Sequence, residues 1–488
     1  MVAWPHHPVV YEINTWAWLN ALSAAYNRPV TLADVPPAAW DEVAAPGVDA
    51  IWLMGVWERS PAGIAVALSN QGLLDAFRRA LPDFSAADVA GSPFCVRRYV
   101  VDGRLGGPEG LAVARAELRR RGVRLVLDFV PNHVAPDHPW ITERPEFFIC
   151  GDAGDLARDP EAFFIASTRI IARGRDPYFA PWPDVAQLNA FHPGMRDAVI
   201  DTLRAIAAQC DGVRCDMAML LMNDIFLRTW GSRAGPPPPQ EFWPHVIASV
   251  RETSPDMLFI AEAYWDMEWD LLQQGFDYCY DKRLYDRLAS VEVEAVALHL
   301  DEPAWQARLV HFIENHDEPR AAAVFGIARS RAAAVIALTV PGMRLVHEGQ
   351  FDGWRIRLPV FLARRPVEPS VAGLRDFYYR VLALAAHVAG RDGQWRLCEC
   401  RGWPDNASYR YVLAWCWRGP AGRCLIVVNY SAVPAQARVR VPWDDLGGHV
   451  WRLEDVVSGA IYERDGAEMQ DPGLFVDLAP WGMHVLTL

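Results

Sequence analysis

The runs GVRCDM (212–217), LFIAEAY (258–264) and VHFIENHD (310–317) are short, apolar and β-rich, and each delivers an acid near its C-terminal end: Asp216, Glu262 and Asp317. A fourth run, RLVLDFVPNH (124–133), has the same form and ends on His133. The acids follow one another at intervals of 46 and 55 residues. One such run carries little information. Four in order read as strands of one parallel barrel, which presents the side chains at its strand ends to a common face.

Working outward, Val9–Asn14, Ala50–Val56, Arg124–Val130, Gly212–Met217, Leu258–Tyr264, Asp277–Lys282, Leu309–Glu314 and Arg344–His347 all read as strands. Helical periodicity lies between them at Leu111–Gly122, Arg196–Cys210, Phe242–Thr253 and Arg329–Thr339. Eight strand–helix units favour a closed (β/α)8 TIM barrel over an open sheet. Two regions break the rhythm. Val134–Ala186 is rich in Pro, Asp and aromatic residues and too long for an ordinary βα loop, so it reads as a small subdomain inserted after strand three. From about Gly393, short strand patterns at Ser408–Trp417, Cys424–Asn429, Ala437–Val441 and Met483–Leu488 alternate with Gly, Pro and Asp turns. The expected organisation is a barrel over 1–133 and 187–392, an insertion over 134–186 and a C-terminal antiparallel β-sandwich over 393–488.

Composition narrows the class. The chain has 488 residues, 52% of them apolar, and no run of about 18 apolar residues that could span a membrane. A formal charge of −13 disfavours a nucleic-acid partner. The N-terminus, MVAWPHHPVVYEIN, has neither a basic leader nor a long apolar core, and the nine cysteines are odd in number and scattered. Reduced thiols in a cytoplasmic protein are therefore expected. Cys398 and Cys400 form the only close cysteine spacing, with no second pair and no histidine nearby, so no metal site and no cofactor is expected. The 21 tryptophans fit a large core and also fit sugar binding, since pyranose faces stack on indoles.

Cleavage of an acetal needs one protonated carboxyl group to donate to the leaving oxygen and one ionised group to attack. Arg214 precedes Asp216 by two residues and shares its side of the strand, so it is expected to hold Asp216 ionised with a lowered pKa. Glu262 has Ile260, Ala261, Ala263, Tyr264 and Trp265 around it, and this less polar setting is expected to raise its pKa.

The four runs resemble the four signature regions of the α-amylase superfamily, glycoside hydrolase family 13: DFVPNH the first, GVRCDM the second, the Glu262 run the third and FIENHD the fourth, with QLN (187–189) similar to a further short motif. The resemblance covers nearly the whole chain. It implies Asp216 as nucleophile, Glu262 as acid/base, Asp317 as a group that binds sugar hydroxyls, and His133, Arg214 and His316 in the same subsite. Phe94 resembles, by its place in the chain, an aromatic stacking residue of this superfamily. The implied reaction is retaining hydrolysis of α-glucosidic bonds in short α-glucans or α-glucosides; the alternative is a transglycosylase or isomerase, trehalose-synthase-like, on the same scaffold.

Departures from the family pattern bear on the substrate. Met219 and Leu220 stand where many endo-acting amylases carry a Lys-His pair, which disfavours both an endo-amylase and a calcium site. Cys95 stands where exo-acting α-glucosidases carry a sugar-gripping Asp. Asn132 reads as structural. Arg97, Arg98, Arg355, Arg357, Arg364 and Arg365 are candidates either for contacting an acidic or phosphorylated sugar or for pairing with the surplus of acids.

Overall fold

A computed structural model describes residues 4–166, 168–388, 393–420 and 422–488. Eight parallel strands close into a barrel: β1 (Val9–Asn14), β2 (Ala50–Met54), β3 (Arg124–Phe129), β4 (Gly212–Cys215), β5 (Leu258–Ala261), β6 (Tyr278–Tyr280), β7 (Leu309–His311) and β8 (Met343–His347). Each strand pairs with its sequence neighbours, and β1 closes the ring against β8. The strands are buried along almost their full length, which is why they read as continuous apolar runs rather than alternating ones.

The helices that matter for the site are α1 (Pro61–Ser69), α2 (Gln71–Ala80), α3 (Gly107–Arg120), α4 (Pro193–Ala207), α5 (Phe242–Arg251) and α6 (Gly326–Thr339). Their starts carry local signals. Ser60 accepts from the Gly63 N–H at the head of α1, Asn70 from the Leu73 N–H at the head of α2, and His192 from the Met195 N–H at the head of α4. Proline opens α1 and α4, where its missing N–H costs nothing. The α1–α2 hairpin follows β2 and lies outside the helical periodicity read from the sequence: α1 is apolar nearly all round and presents no stripe, whereas α2 carries a clear one.

After β3 the chain leaves the barrel. His133–Val134 pairs antiparallel with Ala186–Gln187 and pinches the base of the excursion. Cys150–Gly151, Phe163–Ala166 and Arg169–Ala172 form a three-stranded sheet within it. Asn132 ties the pinch: its side chain and carbonyl accept from the Gln187 amide at 2.9 and 3.0 Å.

Beyond the barrel lie a six-stranded and a three-stranded antiparallel sheet. Trp415 and Trp417 donate their indole N–H groups to the Thr339 hydroxyl and carbonyl at the end of α6, at 3.1 and 2.7 Å. The boundary expected at 392/393 adjoins residues 389–392, which lie outside the described residues.

Candidate active site

The β4–β5 register sets the geometry. Cys215 lies opposite Ala261, so the next residue on each strand, Asp216 and Glu262, emerge side by side at the barrel mouth. The Glu262 N–H donates to the Cys215 carbonyl, and the Ala218 N–H returns to the Glu262 carbonyl. Met217, between them, takes a left-handed conformation (φ 42°) that is costly for its side chain. This turn aims its N–H at Glu262 Oε2, 2.6 Å away.

Arg214 lies one turn of the pleat below. Its guanidinium is buried, with Nη1 2.7 Å from Asp216 Oδ1, Nη2 2.7 Å from Glu262 Oε1 and Nη2 4.0 Å from Asp317 Oδ2. Trp52, Phe94 and Tyr280 surround it with ring centroids at 5.2–5.5 Å, and Nε donates to the Tyr280 hydroxyl at 3.3 Å. One cation thus serves three carboxylates.

The protonation landscape differs in one respect from the expectation. Arg214 favours ionised Asp216, but the carboxyl is so completely buried that desolvation prevails and its pKa lies above the ordinary aspartate value. Glu262 behaves as expected. Burial is the main cause, with the like charges of Asp216 and Asp317 adding to it against Arg214, and the pKa rises to about 7. Tyr264 donates its hydroxyl to Glu262 Oε1 at 3.1 Å.

Asp317 is not at a strand end. β7 stops at His311, and Asp317 stands six residues on, in a turn where Asn315 Oδ1 accepts the Asp317 and Glu318 N–H groups at 2.9 Å. Its side chain remains 42% exposed to the cleft, and His316 Nε2 sits 2.9 Å from its Oδ2. On the other ring nitrogen, His316 meets Glu12, a fully buried carboxylate on β1. Burial alone would pull the imidazole pKa down. Asp317 and Glu12 outweigh it and raise the value to about 10, so His316 is a cation at neutral pH. For Asp317 burial works upward, and His316 with Arg214 brings the carboxyl down to about 2. Burial lowers His133 to about 4, leaving it neutral. Glu12 was not among the sequence-level candidates, although a carboxylate inside the apolar strand VVYEIN is a legible signal.

Asp216, Glu262, Asp317, His133 and Phe94 all line one cleft of about 520 Å³, whose walls also include Trp182, Phe179 and Asp176 from the insertion, Tyr264, and Phe361. Phe94 lies over His316 with ring centroids 5.3 Å apart. Arg214 and His316 form the floor beneath these groups.

Other candidates go elsewhere. Arg97 pairs with Glu58 at 2.5 Å and Asp137 at 3.6 Å, and Arg98 with Glu58 at 3.6 Å, so the surplus of acids rather than a substrate takes these two. Arg364 pairs with Asp83 and Asp88, and Arg365 with Glu348. Arg355 is exposed, and its backbone N–H donates to Glu368. Arg357 donates to the Asp317 carbonyl. Met219 and Leu220 are buried in the turn after Asp216 and pack rather than face a ligand. The Cys95 thiol is buried under the insertion and donates to the Asp184 carbonyl at 3.0 Å. Among the described residues no group of three or more His, Cys, Asp or Glu side chains is arranged to hold a metal ion. All nine cysteines are free.

A closed parallel barrel with an excursion after its third strand and antiparallel sheets at its C-terminal side defines the class to which the amylases belong. The family model described as alpha amylase, catalytic domain, matches residues 46–355, more than half of the chain, and the chain belongs to that family of glycosidases. It is 23% identical over 372 residues to the alpha-amylase MalA of Haloarcula japonica, covering 73% of this chain and 45% of the relative. It is 25% identical over 279 residues to the trehalose synthase/amylase TreS of Mycobacterium tuberculosis, covering 53% and 40% respectively. The chain spans about half the length, or less, of these curated relatives. The crystal structure of the maltogenic alpha-amylase AmyB from Thermotoga neapolitana shares the fold, with a TM-score of 0.69, 16% identity and 99% coverage of both chains.

Proposed function

We propose that this protein is a retaining glycosidase that cleaves α-glucosidic bonds of short α-glucans or α-glucosides. The observation that carries the reading is the single buried guanidinium of Arg214 held 2.7 Å from both Asp216 and Glu262 at the floor of the cleft. It keeps two adjacent carboxyl groups apart in protonation: both lie 2.7 Å from the cation, but Asp216 accepts its hydrogen bond, and Glu262 carries the proton. The names of the relatives, alpha-amylase and trehalose synthase/amylase, support an α-glucan substrate.

In the first step Glu262 gives its proton to the glycosidic oxygen while an Asp216 oxygen bonds to the anomeric carbon and the carbon–oxygen bond to the leaving sugar breaks. Cationic His316 holds Asp317 ionised, so that Asp317 accepts from sugar hydroxyls. Phe94 and neutral His133 flank the ring. In the second step Glu262 takes a proton from water, the oxygen attacks the anomeric carbon, and the bond to Asp216 breaks with the configuration restored. The segment 134–186 acts as a subdomain that covers the cleft, and 393–488 as a supporting C-terminal domain. The free thiols support a cytoplasmic setting.

A second reading has a sugar hydroxyl replace water in the second step, giving transglycosylation or isomerisation. Aromatic groups beside Glu262 favour it: Tyr178 meets Trp265 edge-on at 4.8 Å, next to Tyr264. A screen of maltose, maltotriose, trehalose, sucrose, isomaltose, starch and aryl α-glucosides, read by NMR, tests both. An α-anomer as first product is expected from an α-glucoside, and a β-anomer excludes retention. Longer or rearranged products at high substrate select the second reading. Asp216→Asn is expected to lower turnover by about 10³-fold or more; unchanged turnover removes the assigned nucleophile.

A further inference from the structure

Across the barrel mouth from Glu262, two loops that belong to different strands are joined into one wall. The hairpin α1–α2 and the segment that follows it, up to Gly91, come after β2. Residues 355–366 come after β8. Val89 bridges Leu362 antiparallel, the Ala90 N–H donates to the Phe361 carbonyl at 2.8 Å, and the Ala363 N–H donates to the Asp88 carbonyl at 2.8 Å. A separate apolar cluster, with Phe77, Leu81, Val89 and Leu362 at its centre, fills the join. Arg364 locks it from outside, 2.7 Å from Asp88 and 3.1 Å from Asp83. Such a join is a fixed element rather than a mobile lid, because backbone pairing, apolar packing and ion pairs all hold it.

Its position relative to the acids gives it meaning. In the barrel order β2 and β8 flank β1, and β5, which carries Glu262, lies on the opposite side. An acid protonates the oxygen that leaves, so the leaving part of the substrate extends over Glu262, and the retained sugar lies on the far side, against Asp317 and Phe94. Val66, Asn70 and Leu73 of the hairpin and Phe361 of the β8 loop line the same cleft as Asp216 and Glu262. The retained sugar therefore runs into the wall, while the joins on the β5 side are single contacts, the Ala218 N–H on the Glu262 carbonyl, Tyr178 against Trp265 and Arg283 with Asp266.

We infer that the joined α1–α2 hairpin and β8 loop end the cleft on the side of the retained sugar, so that the protein takes α-glucosides by the non-reducing end and acts exo rather than endo. This rests on the retaining α-glucosidase reading and adds where the chain is cut. Val66, Leu73 and Phe361 supply the apolar surface that stops the chain, and the Asn70 amide nitrogen is placed to donate to the terminal hydroxyls.

The test uses the whole protein with an aryl α-maltoheptaoside, free or with its non-reducing glucose capped as a 4,6-cyclic acetal, and a simple aryl α-glucoside alongside. The capped substrate is expected to be turned over about 100-fold more slowly than the free one, and mass spectra of the free one should show loss from the non-reducing end. Turnover of only the aryl α-glucoside counts against the inference, because a free non-reducing end would then not suffice for a chain to enter. Equal rates on capped and free substrates, with internal cleavage, overturn the inference and leave the α-glucosidase reading standing. No turnover of any of the three overturns that reading and the inference with it. A variant with Arg364→Ala and Leu362→Ala, checked for folding by its melting curve, is expected to narrow the capped-to-free difference by about 10-fold; an unchanged ratio in a folded variant counts against the wall.

Discussion

The buried cation at the centre of the site explains how three neighbouring acids differ. Arg214 reaches all of them, but Asp317 also has His316, and Glu262 is left with burial and two like charges. With the Glu262 pKa at about 7, the proton it donates is present below that pH and lost above it. The rate on unactivated α-glucosides is therefore expected to fall as pH rises through about 7, and pH profiles of kcat check this. Glu262→Gln should abolish that limb, and should harm aryl glucosides with good leaving groups far less than disaccharides. Glu12 acts one step back from the cleft by holding His316 protonated. Groups facing His316 are Glu12, Asp317, Asp216 and Asp128, with Trp52 and Phe94 against the ring. Because the folded imidazole titrates near 10, its contribution to stability is complete below its unfolded pKa of about 6.5 and fades as pH rises through about 10. Glu12→Gln is expected to move that loss to lower pH and to raise KM more than it lowers kcat, measured by melting curves and steady-state kinetics across pH.

At the scale of elements, buried side chains inside the barrel add to the strand ladders. Asp128 on β3 is buried, and its two oxygens accept from the Trp52 indole at 2.9 Å and the Gly55 N–H at 2.6 Å. It thereby fixes the end of β2, from which the α1–α2 hairpin departs. Asp128→Ala leaves two buried donors without partners and is expected to cost about 2–5 kcal/mol, read by urea unfolding. Asp128→Asn, which keeps one acceptor, should cost roughly half as much. The opposite case is the turn after β4. There Met219 and Leu220 supply packing alone, so Met219→Leu should leave turnover near the parent value.

The barrel and the C-terminal sheets share one core. Leu413, Trp415, Trp417, Ile426 and Val428 belong to the same buried cluster as the barrel strands, while the outer face of those sheets has its own. A shared core of this kind is expected to unfold as one unit, so calorimetry should give a single transition. Trp417→Ala removes a fully buried indole and its bond to Thr339 and is expected to destabilise the whole molecule by about 3–5 kcal/mol. Two separate transitions would show instead that the sheets stand alone.

Sequence alone determined the strands and the polar residues that stand out on them. The eight barrel strands were legible because strands buried on both faces must be apolar, and the polar residues at their ends, Asp216, Glu262 and Arg214, stand out against that background. Arg214 lies within β4, and Asp216 and Glu262 stand one position beyond β4 and β5, whose register the barrel fixes, so their meeting followed from local pattern. What pairs across the molecule did not. The arginines at 97, 98, 364 and 365 found acids distant in sequence, and Glu12 found His316 304 residues away. Desolvation of Asp216 depends on what covers it, not on its neighbours in the chain. The wall that decides which end of a substrate enters is made of two loops separated by most of the barrel, each unremarkable alone, and only their packing in three dimensions brings Phe361 beside Val66 and Leu73.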